Sequence, residues 1–137
     1  MDLRRRRVSL VYSLTATHIY TRLPRISSHP NLPISVIINV DNGPGATEQP
    51  DTAFQTCIPS LKQNNSRVLG YIPTNFGSIT EDEITRAVAL YAGWEAEYRP
   101  EGIYFDQASS EADDVATLRN ISDTAKGIFA DFVSLRK

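Results

Sequence analysis

The segment Gly102-Ile103-Tyr104-Phe105-Asp106-Gln107 reads as a short strand that carries one carboxylate to its end. Strand side chains alternate, so Ile103 and Phe105 share one face while Gly102, Tyr104 and Asp106 share the other. In a buried parallel strand, Ile103 and Phe105 would pack on helices and Asp106 would face an interior or a mouth. Chemistry in α/β folds sits at the C-terminal tips of such strands. Asp106 has a second reading, because aspartate also caps the turn or helix that follows a strand.

The neighbouring segments bear on that choice. Ile34-Ser35-Val36-Ile37-Ile38-Asn39-Val40 is the clearest strand, and its β-branched content suits burial on both faces. Asp41-Asn42-Gly43-Pro44-Gly45 follows as a rigid turn. That turn lacks the lysine and spacing of a phosphate loop and lacks the dinucleotide pattern, so a nucleotide site is discounted. Asp51 to Gln63 has Ala53, Phe54, Cys57, Ile58 and Leu61 at helical spacing, with Pro59 expected to kink or shorten the helix. Residues 67–72 form the next strand, and Pro73-Thr74-Asn75-Phe76-Gly77 is the loop at its end.

Thr80-Glu81-Asp82-Glu83 is a capping box. It opens a helix whose Ile84, Ala87, Val88, Tyr91, Trp94 and Tyr98 follow one face as far as Pro100. Beyond Asp106, Ser110 is expected to cap a final helix with Val115, Leu118, Ile121, Ala125, Phe129 and Phe132 inward. Arg136 and Lys137 would suit its C-terminal dipole. At the other end of the chain, Val8, Leu10, Tyr12 and Leu14 alternate with Ser9, Val11 and Ser13, which predicts a strand over residues 8–14. Pro24, Pro30 and Pro33 leave room only for a short helix from about Ile19 to Ser28.

This order of elements predicts an α/β fold with a parallel sheet and about four βα units. Right-handed crossovers put every strand's C-terminal end on one side. Asn39–Gly45, Tyr71–Gly77 and Asp106–Gln107 then converge on one rim, which favours a site there over a simple cap.

Composition narrows the function classes. The chain has 137 residues, 41% hydrophobic and 22% charged, enough for one domain with a core. A net charge of -2 gives no global field for nucleic acid or anionic membrane. Arg4–Arg7 is read as a solvated tail. With the apolar residues after it, this run loosely imitates a signal peptide, but the apolar part is short and interrupted. No apolar run is long enough to span a bilayer. Cys57, the one cysteine, cannot form an intramolecular disulfide or a metal site alone, and His18 and His29 have no second ligand at metal spacing. No metal and no cofactor are expected.

Several ordered motifs carry a family resemblance. They are His29-Pro30-Asn31-Leu32-Pro33, Asn39-Val40-Asp41-Asn42-Gly43-Pro44-Gly45, Leu69-Gly70-Tyr71-Ile72-Pro73-Thr74-Asn75-Phe76-Gly77, Tyr91-Ala92-Gly93-Trp94 and Gly102–Asp106. Together they resemble the spherulin-4-like family over most of residues 29–120. The resemblance implies a (β/α)8 TIM-type barrel. It also implies kinship to glycoside hydrolases acting on polysaccharide that contains galactosamine or N-acetylgalactosamine, in proteins often secreted or at the cell surface. Asp106 matches the aspartate of the family motif, whereas Gln107 stands where a glutamate is expected, and Val40 where proline is common.

Residues 1–28 match poorly and 29–137 form the expected domain, a partial barrel of about four units where a full one needs roughly 250 residues. Glycosidases need two carboxyl groups across the bond. Gln107 can donate hydrogen bonds to a sugar but cannot serve as catalytic acid or nucleophile. Asp106, which matches the family aspartate, is the candidate catalytic residue, and Gln107 with Asn39, Tyr71 and Thr74 on the same rim are candidate sugar contacts. Asn39 has the alternative of pinning the Gly43–Gly45 turn, and Tyr71 that of filling the barrel interior.

The expected function is carbohydrate binding with little or no catalysis. One alternative is an active glycosidase completed by another chain, or by an unrecognised residue such as Glu111. Another is a structural protein that self-associates through open sheet edges and an uncovered inner face.

Overall fold

The computed structural model describes residues 8–12, 28–129 and 132–135. The elements described in full run in the order β1 (Val8–Tyr12), β2 (Ile34–Ile38), α1 (Thr52–Leu61), β3 (Ser66–Pro73), α2 (Glu81–Ala92), β4 (Gly102–Asp106), α3 (Val115–Ile128) and β5 (Phe132–Leu135). Single 3₁₀ turns lie at Asn75–Gly77 and Ala112–Asp114. The strands form one sheet in the order β1-β2-β3-β4-β5, and every pairing is parallel. The register sets Ile37 opposite Leu69, Tyr71 opposite Tyr104 and Pro73 opposite Asp106.

Alternation divides the sheet into two unlike faces. Val36, Ile38, Val68, Ile72, Ile103 and Phe105 point toward the helices. There they join Phe54, Cys57, Ile58 and Leu61 of α1, Ile84, Val88 and Tyr91 of α2, and Ile121 and Ala125 of α3 in one core. Cys57 is 1% exposed and packs as the small hydrophobe the helical stripe implied. The opposite face carries Ile37, Leu69 and Tyr104, with Tyr71 packed against them. The Tyr71 and Tyr104 rings stack with centroids 6.4 Å apart. Ile37, Leu69 and Tyr104 are all buried. The expectation of an uncovered inner face is therefore corrected at this level, because tyrosine rings lie against the aliphatic side chains there.

Gly70 is where α2 meets the sheet. The Tyr91 ring lies so close over it that a Cβ at residue 70 would come within 2.8 Å of the ring. From that position the Tyr91 hydroxyl donates to the carbonyls of Tyr71 at 2.9 Å and Ile38 at 3.3 Å. One phenol thus ties the ends of β2 and β3 together, and burial pushes its pKa far above the ordinary value.

Several element ends differ from the sequence reading, each for a local reason. β1 is described over Val8–Tyr12, and residues 13–27, with the rest of the expected strand, His18 and most of the expected first helix, lie outside the described residues. β2 stops at Ile38, which leaves Asn39 and Val40 in the following turn. Asp51 caps α1 by accepting from the Phe54 amide, and the helix ends two residues after Pro59. Both halves of the Thr80–Glu83 capping box form.

α2 ends at Ala92, not near Pro100. Gly93 caps it, and the Gln49 side chain bonds the Gly93 carbonyl, the Glu95 amide and the Tyr98 hydroxyl. Trp94 and Tyr98 are still core residues, but they reach the core from a separate turn, with the Trp94 ring edge-on to Tyr91 at 4.9 Å. Ser110 does not cap α3: the chain first makes the 112–114 turn, and the Glu111 amide bonds Ser109 Oγ. Phe132 belongs to β5 rather than to the helix, paired with Gly102.

Gly70→Ala should destabilise the fold by about 1–3 kcal/mol, the usual cost of overpacking. A urea titration would show a lower midpoint with the slope unchanged. An unchanged midpoint would mean that the close seating of Tyr91 on Gly70 is wrong.

Candidate functional site

The C-terminal rim is built around the end of β4. Asp106 and Tyr104 share the sheet face opposite the helices, and Tyr71 of β3 sits beside them by register. The Tyr71 hydroxyl donates to Asp106 Oδ2 at 3.1 Å. Asp106 Oδ1 has no hydrogen bond among the described residues, and the carboxylate is half-buried. The Tyr71 phenol is pushed up to about 12, first by burial and then by its hydrogen bond to Asp106 and the charge there.

Thr74 fastens the two strand ends. Its amide donates to the Asp106 carbonyl at 2.9 Å. Its hydroxyl reaches the Asp106 carbonyl at 3.1 Å and the Gln107 carbonyl at 2.7 Å. Thr74 is 2% exposed, so the side chain read from sequence as a sugar contact is placed here as a support for the strand tip. Asn39 is likewise placed in the turn: its Oδ1 accepts from the Gly43 amide at 3.0 Å. The Val40 and Asp41 amides both donate to the Gly43 carbonyl, which closes that turn over the end of β2.

Gln107 leaves the strand with φ of 56°. Its carbonyl is occupied by Thr74 and by the Phe76 amide at 2.8 Å. Its half-buried side-chain amide makes no hydrogen bond among the described residues. Asn75, Phe76 and Gly77 run through φ of 47°, 54° and 89° in succession. Asparagine and glycine tolerate this left-handed backbone, but a phenylalanine there is strained by about 1–3 kcal/mol. Phe76 nonetheless remains 62% exposed. Sequence reading took Asn75-Phe76-Gly77 as loop only, and nothing in period or motif signalled the conformation.

The structure therefore brings Asp106 and Tyr71 into contact, with Gln107 next along the chain and Thr74 and Asn39 shaping the backbone around them. Glu111 is exposed and outside this group of contacts. A cavity of about 230 Å³ lies between the starts of α2 and α3, walled by Thr74, Ile79, Thr80, Ser109, Asp114 and Leu118 among others. Asp106, Tyr71 and Gln107 do not line it. Among the described residues no cluster of His, Cys, Asp and Glu could hold a metal, and no helix is long and apolar enough to cross a membrane.

A family model, spherulation-specific family 4 (Spherulin4), matches residues 11–133. The chain belongs to that family. The match extends beyond the motif-bearing residues 29–120 in both directions. Among solved structures, Aspergillus clavatus Sph3 in complex with GalNAc is similar to this chain at 31% identity with a TM-score of 0.85. The similarity covers 94% of this chain and 56% of that one, so the chain spans little more than half of Sph3's length. No curated protein matches the chain.

In this Spherulin4 member Tyr71 should titrate near 12 instead of 10. The folded-state pKa is raised, so the stability from the neutral phenol is complete below pH 10 and is lost as pH climbs toward 12. Alkaline absorbance titration against Tyr71→Phe would assign the group. Asp106→Asn should lower the midpoint without restoring the ordinary value, because burial persists. A midpoint unmoved by Asp106→Asn would rule out the carboxylate contact.

Proposed function

We propose that this protein binds polysaccharide containing galactosamine or N-acetylgalactosamine at the rim formed by Asp106, Tyr71 and Gln107, with little or no hydrolysis. The observation that carries the reading is the Tyr71–Asp106 hydrogen bond at the tip of β4, with Gln107 the next residue of the chain. An oriented carboxylate accepts from sugar hydroxyls, and a glutamine amide can both accept from and donate to them. GalNAc bound to Sph3, and membership of the same family, support the choice of sugar.

The architecture supports the same placement. Five parallel strands follow one another in sequence order, as consecutive staves of a (β/α)8 barrel do, and such barrels carry their sites at the C-terminal rim. We read the sheet as part of such a barrel. An extracellular polysaccharide also goes with a secreted or cell-surface location, which this proposal includes.

Both stereochemical routes of glycoside hydrolysis require a second carboxyl group, and a glutamine cannot exchange a proton in that role. Asp106 alone can orient a hydroxyl or stabilise positive charge.

Incubated with galactosamine polysaccharide, the chain should release no reducing ends above background. With residues 29–137 grafted onto the C-terminal half of an active relative, Gln107→Glu should raise turnover by about 10²–10⁴-fold, the scale of general acid–base catalysis. Asp106→Asn should then abolish it. Equal rates with Gln107 and with Gln107→Glu would remove proton chemistry from this position, and hydrolysis by the unaltered chain would overturn the reading of an inactive site.

A further inference from the structure

Phe76 is an exposed aromatic ring that the chain displays against both of its physical preferences. It is 62% exposed, although a phenylalanine gains by burial. Its backbone is left-handed at φ 54° and ψ 36°, a conformation that glycine would adopt without strain.

The loop that carries it is fixed on two sides. On one, the Phe76 amide is bonded to the Gln107 carbonyl at 2.8 Å, next to the Asp106 strand tip. On the other, Gly77 packs so tightly on Asp114 that a Cβ there would lie 2.8 Å from Oδ2. Within the turn, Gly77 and Ile79 amides return to the Thr74 carbonyl. The backbone bearing the ring is anchored one hydrogen bond from the Asp106 strand tip, which lowers the cost of presenting the ring there.

We propose that Phe76 is a stacking platform for the apolar face of a galacto-configured pyranose held at the Asp106–Tyr71–Gln107 rim. The proposal rests on the carbohydrate reading above and specifies which sugar face is recognised. In a galacto-configured ring the axial O4 leaves the C3, C4 and C5 hydrogens together on one face. That C–H surface is weakly polar and fits an aromatic plane. The equatorial O4 of a gluco-configured ring breaks the same surface, so the platform discriminates between the epimers. Polar recognition by Asp106 and Gln107 and apolar recognition by Phe76 are then complementary parts of one site.

The test is calorimetric titration of the chain with oligosaccharides of N-acetylgalactosamine and of N-acetylglucosamine, with thermal melting run alongside. Phe76→Ala and Phe76→Gly should weaken N-acetylgalactosamine binding by roughly tenfold, the scale of one aromatic contact, and reduce the preference over the epimer. Phe76→Tyr should retain both. Phe76→Gly should melt no lower than the unaltered chain, since it relieves a strained residue and removes no buried ring. This result separates a ligand role from a packing role.

Unaltered binding in Phe76→Gly, with binding lost in Asp106→Asn, would overturn the platform and leave the rim as the sugar site. A markedly lower melting temperature in Phe76→Gly would overturn it too, by showing that the ring supports the fold. If the unaltered chain bound neither oligosaccharide, the carbohydrate reading would fail and the platform with it.

Discussion

Thr74 holds together the tips of two parallel strands, and the rim depends on that fastening. Its amide and hydroxyl meet the carbonyls of Asp106, the last paired residue of β4, and of Gln107 just beyond it. Carbonyls left unpaired at a buried strand end would be costly, so a buried threonine there serves a backbone need before any ligand need. Once those carbonyls are held, the chain can turn through the left-handed Gln107 while keeping the Asp106 carboxylate next to Tyr71. Tyr91 acts in the same way one strand over, tying the ends of β2 and β3 from beneath the sheet. Gly70 is the small residue that lets it approach.

These contacts give the two faces of the sheet different tasks. The helix side is apolar and continuous, and it supplies the bulk of the buried surface. The other side grades from aliphatic at Ile37 and Leu69, through the Tyr71–Tyr104 stack, to a carboxylate at the rim. The carboxylate at that end is half-exposed, while the layer beneath is buried. Burial and the Asp106 contact raise the Tyr71 phenol well above its usual pKa, so it remains a hydrogen-bond donor at any physiological pH.

Much of this was legible in sequence because the signals are local and repeat. β-branched runs at Ile34–Ile38 and alternation at Gly102–Asp106 located strands, and the Thr80–Glu83 pair located the start of α2. Asp106 and Tyr71 could be placed on one rim because strand order and crossover handedness determine which ends meet. What was not legible depended on contacts distant in sequence. The early end of α2 requires Gln49, some forty residues upstream, to satisfy Gly93, Glu95 and Tyr98. Phe129 and Phe132 lie three residues apart and so imitate a helix face, whereas the chain ends α3 at Ile128 and pairs Phe132 with Gly102. The hydroxyl of Thr74 and the amide of Asn39 looked like ligand groups because their backbone partners cannot be read from residue type.

The central claim is that the rim of Asp106, Tyr71 and Gln107 receives a sugar. Its most direct test is an amide-resolved NMR titration of the chain with N-acetylgalactosamine. The account predicts shift changes confined to residues 39–45, 71–77 and 104–108, the three segments that meet at the C-terminal ends of β2, β3 and β4. Changes concentrated at the opposite ends of those strands, near Ile34, Ser66 and Gly102, would contradict it, as would saturating sugar that moves no amide at all.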